Sequence, residues 1–370
     1  MKKIIGFCNL HNSPQLGQLT ASRPMASTSF LGRYAFIDIC LSNFSNSGID
    51  QIGILVRDHA RSLNKHLGSS FPWNINTKLG TQVIMYNELS HLNNRYNTDL
   101  NNIRENDWFI IKSNAEYVVI APVHVLATIN YAKVVECHIE SGADVTVVYA
   151  ANQNTKDEFL GCDLLTIDKD NRVSKFTSNR GVDSVSNVSM ESYVMTKDKL
   201  KEILKDSLEV SSIFTLRDYL SYSVNKLNIR GYKYEGYVRC FDSLQKYLKY
   251  SLELLNYNVR STLFSNDWPI YTFTHDTPPS KYGKGAKVTN SFIANGAVIN
   301  GEVENSIISR YVHVSDGAKI KNSIILTDAI VTNDACIENC IIDKYTRIVT
   351  VDDLKGTENE PLYIKQGDII

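Results

Sequence analysis

Short apolar runs alternate with amphipathic stretches from Met1 to about Leu255. The intervening stretches repeat with a helical period, as at Asp58–His66, Asn101–Lys112 and Tyr131–Ser141. This alternation predicts an α/β unit whose parallel sheet is covered by helices on both faces. The apolar runs predicted as strands are Ile4–Cys8, Ile52–Val56, Gln82–Tyr86, Tyr117–Ala121 and Val145–Ala150.

The second half of this unit contains a predicted hairpin and several helices. Asp163–Ile167 and Arg172–Phe176 flank the turn-forming sequence "DKDN", and helices are expected from Lys197, from Ile213 and within "DSLQKYLKYSLELLNY". The sequence "DTPPSKYGKG" follows and contains two prolines and two glycines, which interrupt regular structure. We therefore place the first domain at residues 1–256 and a linker at 257–284.

The pattern changes to a repeat beyond the linker. The segments "VTNSFI", "VENSII", "IKNSII" and "IENCII" begin 15, 17 and 17 residues apart, and this spacing is typical of a solenoid built from hexapeptide units. Aliphatic residues would point inward, and the asparagines would occupy corners that require left-handed backbone. A β-sandwich with coincidental spacing is the alternative. Residues 285–370 are thus predicted to form a parallel β-helix, with corner residues Asn290, Asn305, Asn322 and Asn339.

Composition narrows the class of protein. The net charge of −1 gives no field that attracts nucleic acid or an anionic membrane, and no apolar run is long enough to span a bilayer. Seven scattered cysteines favour free thiols in a reducing compartment, and a cytoplasmic location is expected. Cys336 and Cys340 lack a second pair of Cys or His, so no metal site is predicted there.

Several blocks give the chain a resemblance to the bacterial ADP-glucose pyrophosphorylase (glucose-1-phosphate adenylyltransferase) family. They are "GRYAFIDICLSNFSNSGID", "SNAEYVVIAPVHV", "SNVSMESYVM" and "THDTPPSKYGKGAKVTNSFIANGAVINGEVENSII". The resemblance implies a Rossmann-like (GT-A-like) nucleotidyltransferase domain, a left-handed parallel β-helix of hexapeptide repeats, and assembly into tetramers.

The resemblance fails at the functional positions of that family. The glycine-rich loop that brings backbone N–H groups to phosphates is replaced by "NLHNSPQLG", with Gln15 in the place of the reactive arginine. Val123 and Cys240 replace the two Mg²⁺-binding aspartates, and Asp242 lies two residues beyond the second. We therefore predict no catalytic residues, no metal site and no cofactor. The degenerate family positions are Gln15, Met25, Val123, Asn179 and Cys240.

A few family positions remain that could bind an anion. Gly161 and Ser189 match positions that contact glucose-1-phosphate, which implies residual sugar-phosphate binding. Arg23 and Arg33 match basic positions near the anionic-regulator site of the family, and solvated surface residues are the alternative interpretation of both. His124 and Cys240 are expected to be structural, with a general base and a reactive thiol as the respective alternatives.

The pattern resembles the regulatory (GlgD-type) branch of the family. The resulting hypothesis is a non-catalytic subunit in glycogen biosynthesis that pairs with a catalytic ADP-glucose pyrophosphorylase subunit, as a hetero-oligomer that is expected to be a heterotetramer, and responds to a possible sugar-phosphate regulator. One alternative is a weak enzyme that still makes ADP-glucose and pyrophosphate from ATP and glucose-1-phosphate. Another is a hexapeptide-repeat acyltransferase that uses His313.

Overall fold

A computed structural model describes residues 3–68, 71–73, 82–91, 93–182, 185–332 and 334–370. The first part of the chain forms a nine-stranded sheet. Its strands are β1 Ile4–Asn9, β2 Gln51–Val56, β3 Gln82–Tyr86, β4 Tyr117–Pro122, β5 Val145–Asn154, β6 Asp163–Ile167, β7 Val173–Ser178, β8 Val185–Thr196 and β9 Ile229–Tyr234. The strands follow the order β7-β6-β8-β4-β1-β2-β3, and β5 lies between β8 and β9. Strand β8 therefore pairs with β4, β5 and β6.

The sheet is mixed, whereas the alternation of strands and helices predicted a parallel sheet. Strands β1 to β4 and the pair β5 and β9 are parallel, as expected. The long strand β8 runs antiparallel to β4, β5 and β6 because the β6–β7 hairpin reverses the chain before it enters the centre of the sheet. A bulge lies between Ser189 and Ser192 in this strand, and such irregularities redirect side chains.

Helices cover both faces of the sheet, as predicted, and the sheet separates two apolar cores. The helix predicted at Asn101–Lys112 is instead two helices that meet at Asn106. The Asn106 amide donates to the carbonyls of Tyr86 and Asn102, at 3.0 and 2.9 Å, and so competes with the helical backbone pattern. The α-helices are α1 Phe36–Asn46, α2 Ala60–Leu67, α3 Asp99–Glu105, α4 Asp107–Lys112, α5 Tyr131–Ser141, α6 Lys197–Val210, α7 Leu216–Tyr222, α8 Leu244–Glu253 and α9 Tyr257–Leu263.

The last ninety or so residues form a β-helix of three parallel five-stranded sheets. One sheet is Lys281–Tyr282, Val298–Ile299, His313–Val314, Ile330–Val331 and Arg347–Ile348; the second is Lys287–Thr289, Glu302–Glu304, Lys319–Lys321, Cys336–Glu338 and Asp353–Lys355; the third is Phe292–Ile293, Ile307–Ile308, Ile324–Ile325, Cys340–Ile342 and Leu362–Ile364. The four corner asparagines have φ between 42° and 51°, which confirms the predicted left-handed corners. They also stack, since Asn290 donates to Asn305 and Asn305 donates to Asn322, at 2.9 and 2.6 Å.

The corner geometry predicts a graded response at Asn322. Asn322→Ala is expected to lower the free energy of unfolding by about 1–2 kcal/mol, because an alanine resists φ of 47° and cannot accept the Asn305 amide. Asn322→Gly should cost less, since glycine adopts this φ freely. Urea denaturation of the two variants tests the order, and equal losses would contradict the conformational explanation.

The two parts of the chain share an interdomain core, here defined by Leu248 and Leu255 of the first part and Ile307, Ile324 and Ile341 of the β-helix. Helix α8 begins at a Ser243 cap, whose hydroxyl accepts the Lys246 N–H at 3.3 Å, and its apolar side lies in this core. The β-helix is thus packed directly against the first domain.

Candidate functional site

The candidate site lies at the carboxyl ends of β1 and β4. Asn9 pairs with Pro122 in the parallel register, so the segments that follow these two strands lie side by side. Ligands of open α/β sheets bind at this edge. Val123 is buried there and packs into the apolar core under the sheet, which leaves no charged group at its position.

A polar network centred on His11 occupies the loop after β1. The His11 ring contacts the Asn97 carbonyl through Nδ1, at 3.2 Å, and the Asn102 amide through Nε2, at 3.1 Å. These contacts suit a neutral ring that donates from Nδ1 and accepts at Nε2. Burial is the main cause that lowers the His11 pKa to about 4, and the nearby Arg57 lowers it further.

Asn9 ties the same loop to a buried carboxylate. Its amide donates to Asp99 Oδ2 at 2.7 Å, and its Oδ1 accepts the His11 N–H at 3.0 Å. Asp99 also accepts the N–H groups of Leu100 and Leu216, and burial raises its pKa. The loop is therefore fixed by its own side chains. In the family that the sequence resembles, the corresponding loop is expected to offer backbone N–H groups to phosphate instead.

Gln15, Met25 and Arg23 line one small cleft beside this loop, together with Arg57. Pro14, which lies in the same wall, has no N–H to offer a phosphate. Met25 is buried in the apolar cluster between the domains. Arg23 is 4% exposed, donates from Nε to the Leu19 carbonyl at 2.8 Å, and forms an ion pair with Asp343 of the β-helix.

The residues present do not fit Mg²⁺ at the two family positions. Val123 has no ligand atom, and the Cys240 thiol is a poor ligand for a cation that prefers oxygen. Asp242 is half-buried and accepts the Leu160 N–H at 3.3 Å. Burial raises the pKa of its carboxyl.

Gly161 and Asn179 lie together in a loop that Asn179 organises. The Asn179 amide donates to the carbonyls of Glu158 and Phe159, at 3.0 and 2.9 Å, and the Gly161 N–H donates to the Asn179 carbonyl at 3.0 Å. Asn179 is thus a buried structural residue, while Gly161 is exposed with φ of +83°. Ser189 is buried, and its Oγ accepts the Glu191 N–H at 3.1 Å.

Two buried carboxylates and one arginine lie together near the bulge in β8. Arg217 contacts Asp163 through Nε, at 2.9 Å, and Glu191 through Nη1, at 3.3 Å. Burial is the largest cause that raises the pKa of Asp163 to about 6 and that of Glu191 to about 7, while Arg217 opposes both shifts. Glu191 adopts φ of +50° at the bulge in β8, a conformation that L residues rarely take.

Sequence reasoning missed His11, Asp163, Cys162, Glu191 and Arg217. Glu191 lies inside the block "SNVSMESYVM", in which Ser189 is the residue predicted to contact a sugar phosphate. Cys162 adjoins Gly161, and its Sγ lies 3.7 Å from that of Cys240. An acidic residue in a strand of otherwise small and apolar residues is the signal that could have identified Glu191.

Arg33 lies apart from the cleft, where the first domain meets the β-helix. It is exposed and lines a small cavity with His275 and Arg310. Burial is the main cause that lowers the pKa of the Arg310 guanidinium, and Arg33 lowers it further. Two facing guanidinium groups favour an anion between them. Arg23 and Arg33 are therefore not brought into one site.

Two sequence families match this chain. Residues 13–226 match the family described as Nucleotidyl transferase, and residues 273–355 match the family described as GlmU-like, C-terminal hexapeptide. No α-helix in the described ranges combines the length and apolar composition that a bilayer crossing requires.

Curated relatives cover nearly the whole chain. The Glycogen biosynthesis protein GlgD of Bacillus subtilis is 31% identical over 354 residues, which is 95% of this chain and 92% of the relative. The Glucose-1-phosphate adenylyltransferase of Fervidobacterium nodosum is 31% identical over 94% of this chain and 84% of its own length. That of Clostridioides difficile is 28% identical over 85% and 83%, respectively.

Proposed function

The chain belongs to the nucleotidyl transferase family that contains these glucose-1-phosphate adenylyltransferases and GlgD, and from this premise we propose that it is a non-catalytic regulatory subunit in bacterial glycogen biosynthesis. The observation that carries the proposal is the pair Val123 and Cys240 at the carboxyl edge of the sheet. Nucleotidyl transfer needs metal ions and cationic groups to stabilise the charge of the transition state. Among the described residues, those at the family positions for the metal aspartates and the phosphate-binding lysines are Val123, Cys240, Met25 and Asn179, and none of these side chains is charged.

The loop after β1 supports the same proposal. The His11 and Asn9 network fixes the loop through side chains, and Pro14 removes one N–H from it. A phosphate would have to displace these contacts before reaching backbone donors. The cost of that displacement opposes nucleotide binding in the productive position.

We propose that the subunit acts by pairing with a catalytic glucose-1-phosphate adenylyltransferase in a heterotetramer. A non-catalytic partner changes turnover when its interface contacts differ between two conformations of the catalytic subunit. Sugar-phosphate binding is part of the proposal at two places. Gly161 and Ser189 would contact a residual sugar phosphate, and Arg33 with Arg310 would hold an anionic regulator.

A two-part assay tests the proposal. The purified chain, given ATP, Mg²⁺ and glucose-1-phosphate, is expected to release no pyrophosphate above background. Added to a catalytic glucose-1-phosphate adenylyltransferase from the same cell, it should change the rate or the response to a sugar phosphate. In the mixed sample, Arg33→Gln should weaken that response while leaving the unregulated rate unchanged.

The control is the double variant Val123→Asp with Cys240→Asp. It restores two carboxylates but not the loop or the basic residues, so it should stay silent alone. Turnover of the unaltered chain by itself, at about 1 s⁻¹ or more, would establish the alternative of an active enzyme. Partner kinetics that do not change on mixing would overturn the regulatory role.

A further inference from the structure

Three soft ligand groups converge where the second Mg²⁺ aspartate is absent. His124, Cys162 and Cys240 place one ligand atom each within 4.8 Å of one another, and all three residues are buried. Within the described ranges, they are the group of three such residues close enough to share an ion. They come from separate segments: one follows β4, one precedes β6, and one lies in the short strand Arg239–Cys240.

The backbone fixes this convergence. Cys240 pairs with Val125 in a short antiparallel ladder, and the Phe241 N–H donates to the His124 carbonyl at 2.9 Å. The Asn179 N–H donates to the Cys162 carbonyl at 2.8 Å and holds the third segment. The ligand set is therefore positioned by main-chain contacts on both sides, as a preorganised site requires.

The sulfur separation matches a metal better than a disulfide. Cys162 Sγ and Cys240 Sγ lie 3.7 Å apart. Two thiolates bound to tetrahedral zinc at about 2.3 Å each lie about 3.8 Å apart. A disulfide would require about 2.05 Å.

Two buried polar atoms at the cluster have no hydrogen bond. They are Nδ1 of His124 and Oε2 of Glu191, in residues 2% and 4% exposed, respectively. The Asn12 amide faces the Glu191 carboxyl, but Oε2 accepts no hydrogen bond of normal geometry. Glu191 Oε1 lies 3.9 Å from His124 Nε2, so the carboxylate lies beside the imidazole and outside the group of three ligand atoms. Buried polar atoms normally have a partner, and a missing one calls for an explanation.

We propose that Cys162, Cys240 and His124 bind a Zn²⁺ ion, with the Glu191 carboxylate supporting the imidazole from outside the ligand set. Two thiolates and an imidazole supply three of the four positions that tetrahedral zinc requires. Arg217 contacts both Glu191 and Asp163, so it orients the Glu191 carboxylate. Residues around the ligands of metal sites commonly have this role. The proposal departs from the prediction of no metal site that was made from the sequence, and it does not depend on the proposed regulatory role.

The proposed ion has a structural consequence for the cleft. It would join the segment after β4, the entry to β6 and the Arg239–Cys240 strand at one point. Three protein groups leave the fourth position of the tetrahedron to a water molecule. Zinc would therefore hold these three segments in one arrangement.

Metal analysis of the full-length chain tests the proposal. Protein purified from zinc-containing medium without chelators is expected to contain about one zinc per chain. Cobalt exchanged into the stripped protein should give the strong visible absorption of a tetrahedral site and thiolate-to-cobalt charge transfer. Cys240→Ser should abolish the charge-transfer pattern of two thiolates, and Glu191→Gln should weaken zinc binding by about 10–100-fold or more.

The matched control is Cys40→Ser. Cys40 and Cys8 form a second buried thiol pair, with Sγ atoms 3.1 Å apart, which no histidine or carboxylate in the described ranges joins as a ligand group. This variant should retain the zinc. The cobalt spectrum of the unsubstituted chain keeps the test decisive even if Cys240→Ser fails to fold. Zinc-free protein, a Cys162–Cys240 disulfide recovered from fresh cells, or equal loss in both variants would overturn the proposal.

Discussion

Replacing Arg23 by methionine is expected to lower the free energy of unfolding by about 3–5 kcal/mol, because it leaves the buried Asp343 carboxylate without its counter-ion. Asp343 is fully buried, and within the described part of the chain its carboxylate would retain the Tyr363 hydroxyl, at 2.6 Å, and the Lys344 N–H, at 2.7 Å. Urea unfolding followed by circular dichroism measures the loss. A loss of this size would identify Arg23 as an interdomain structural residue.

Two comparisons make the Arg23 test specific. Adding Asp343→Asn to Arg23→Met removes the unpaired charge, so the double variant should be more stable than Arg23→Met alone. Lys287→Met breaks the exposed ion pair with Glu302 and should leave the unfolding midpoint almost unchanged. Full stability of Arg23→Met, together with loss of the response to a sugar phosphate, would instead assign Arg23 to regulator binding.

The second large effect is a loss of folding stability at acidic pH. His11 is expected to make the chain lose about 3 kcal/mol of stability as the pH falls from about 6.5 to about 4. The folded state holds the ring neutral, with a lowered pKa, while the unfolded chain takes up a proton near pH 6.5. The unfolded state thus binds more protons in this window, so stability falls with falling pH. Arg57 and the buried Asp99, through Asn9, are the charged groups that face this network.

The measurement is the difference in unfolding free energy between the wild-type chain and His11→Gln, taken at several pH values. Glutamine keeps a donor and an acceptor but does not titrate, so the difference should shrink as the pH falls through the window. Other carboxylates titrate in both proteins and cancel. A difference that stays constant from pH 7 to pH 4 would show that the folded ring titrates normally.

The elements that sequence reasoning predicted well are those set by local patterns. The strand Gln82–Tyr86 and the helix Tyr131–Ser141 have the predicted bounds. The Asn130 side chain caps that helix by accepting the Lys133 N–H, and Gly142 ends it at φ of +60°. The corner asparagines were predictable because their φ depends on residue type and the repeat alone.

Features that depend on distant contacts could not be predicted in this way. The direction of β8 in the sheet follows from the preceding hairpin and from pairing with three other strands. Arg23 pairs with Asp343, 320 positions away, and nothing in either local sequence indicates the match. The substitutions at Val123 and Cys240 could be identified from the sequence. The proximity of Cys162 and His124 to Cys240 could not, because it depends on the folded structure.

The interdomain core has a consequence for fragments of this protein. A break between Asn256 and Lys281 would leave Ile307, Ile324 and Ile341 uncovered on the solenoid piece, and Leu248 and Leu255 uncovered on the other. Aliphatic patches of that kind promote self-association in water. Proteolysis at this point would therefore yield two fragments with exposed apolar surface. These fragments would aggregate or re-associate, and neither would remain a soluble monomer.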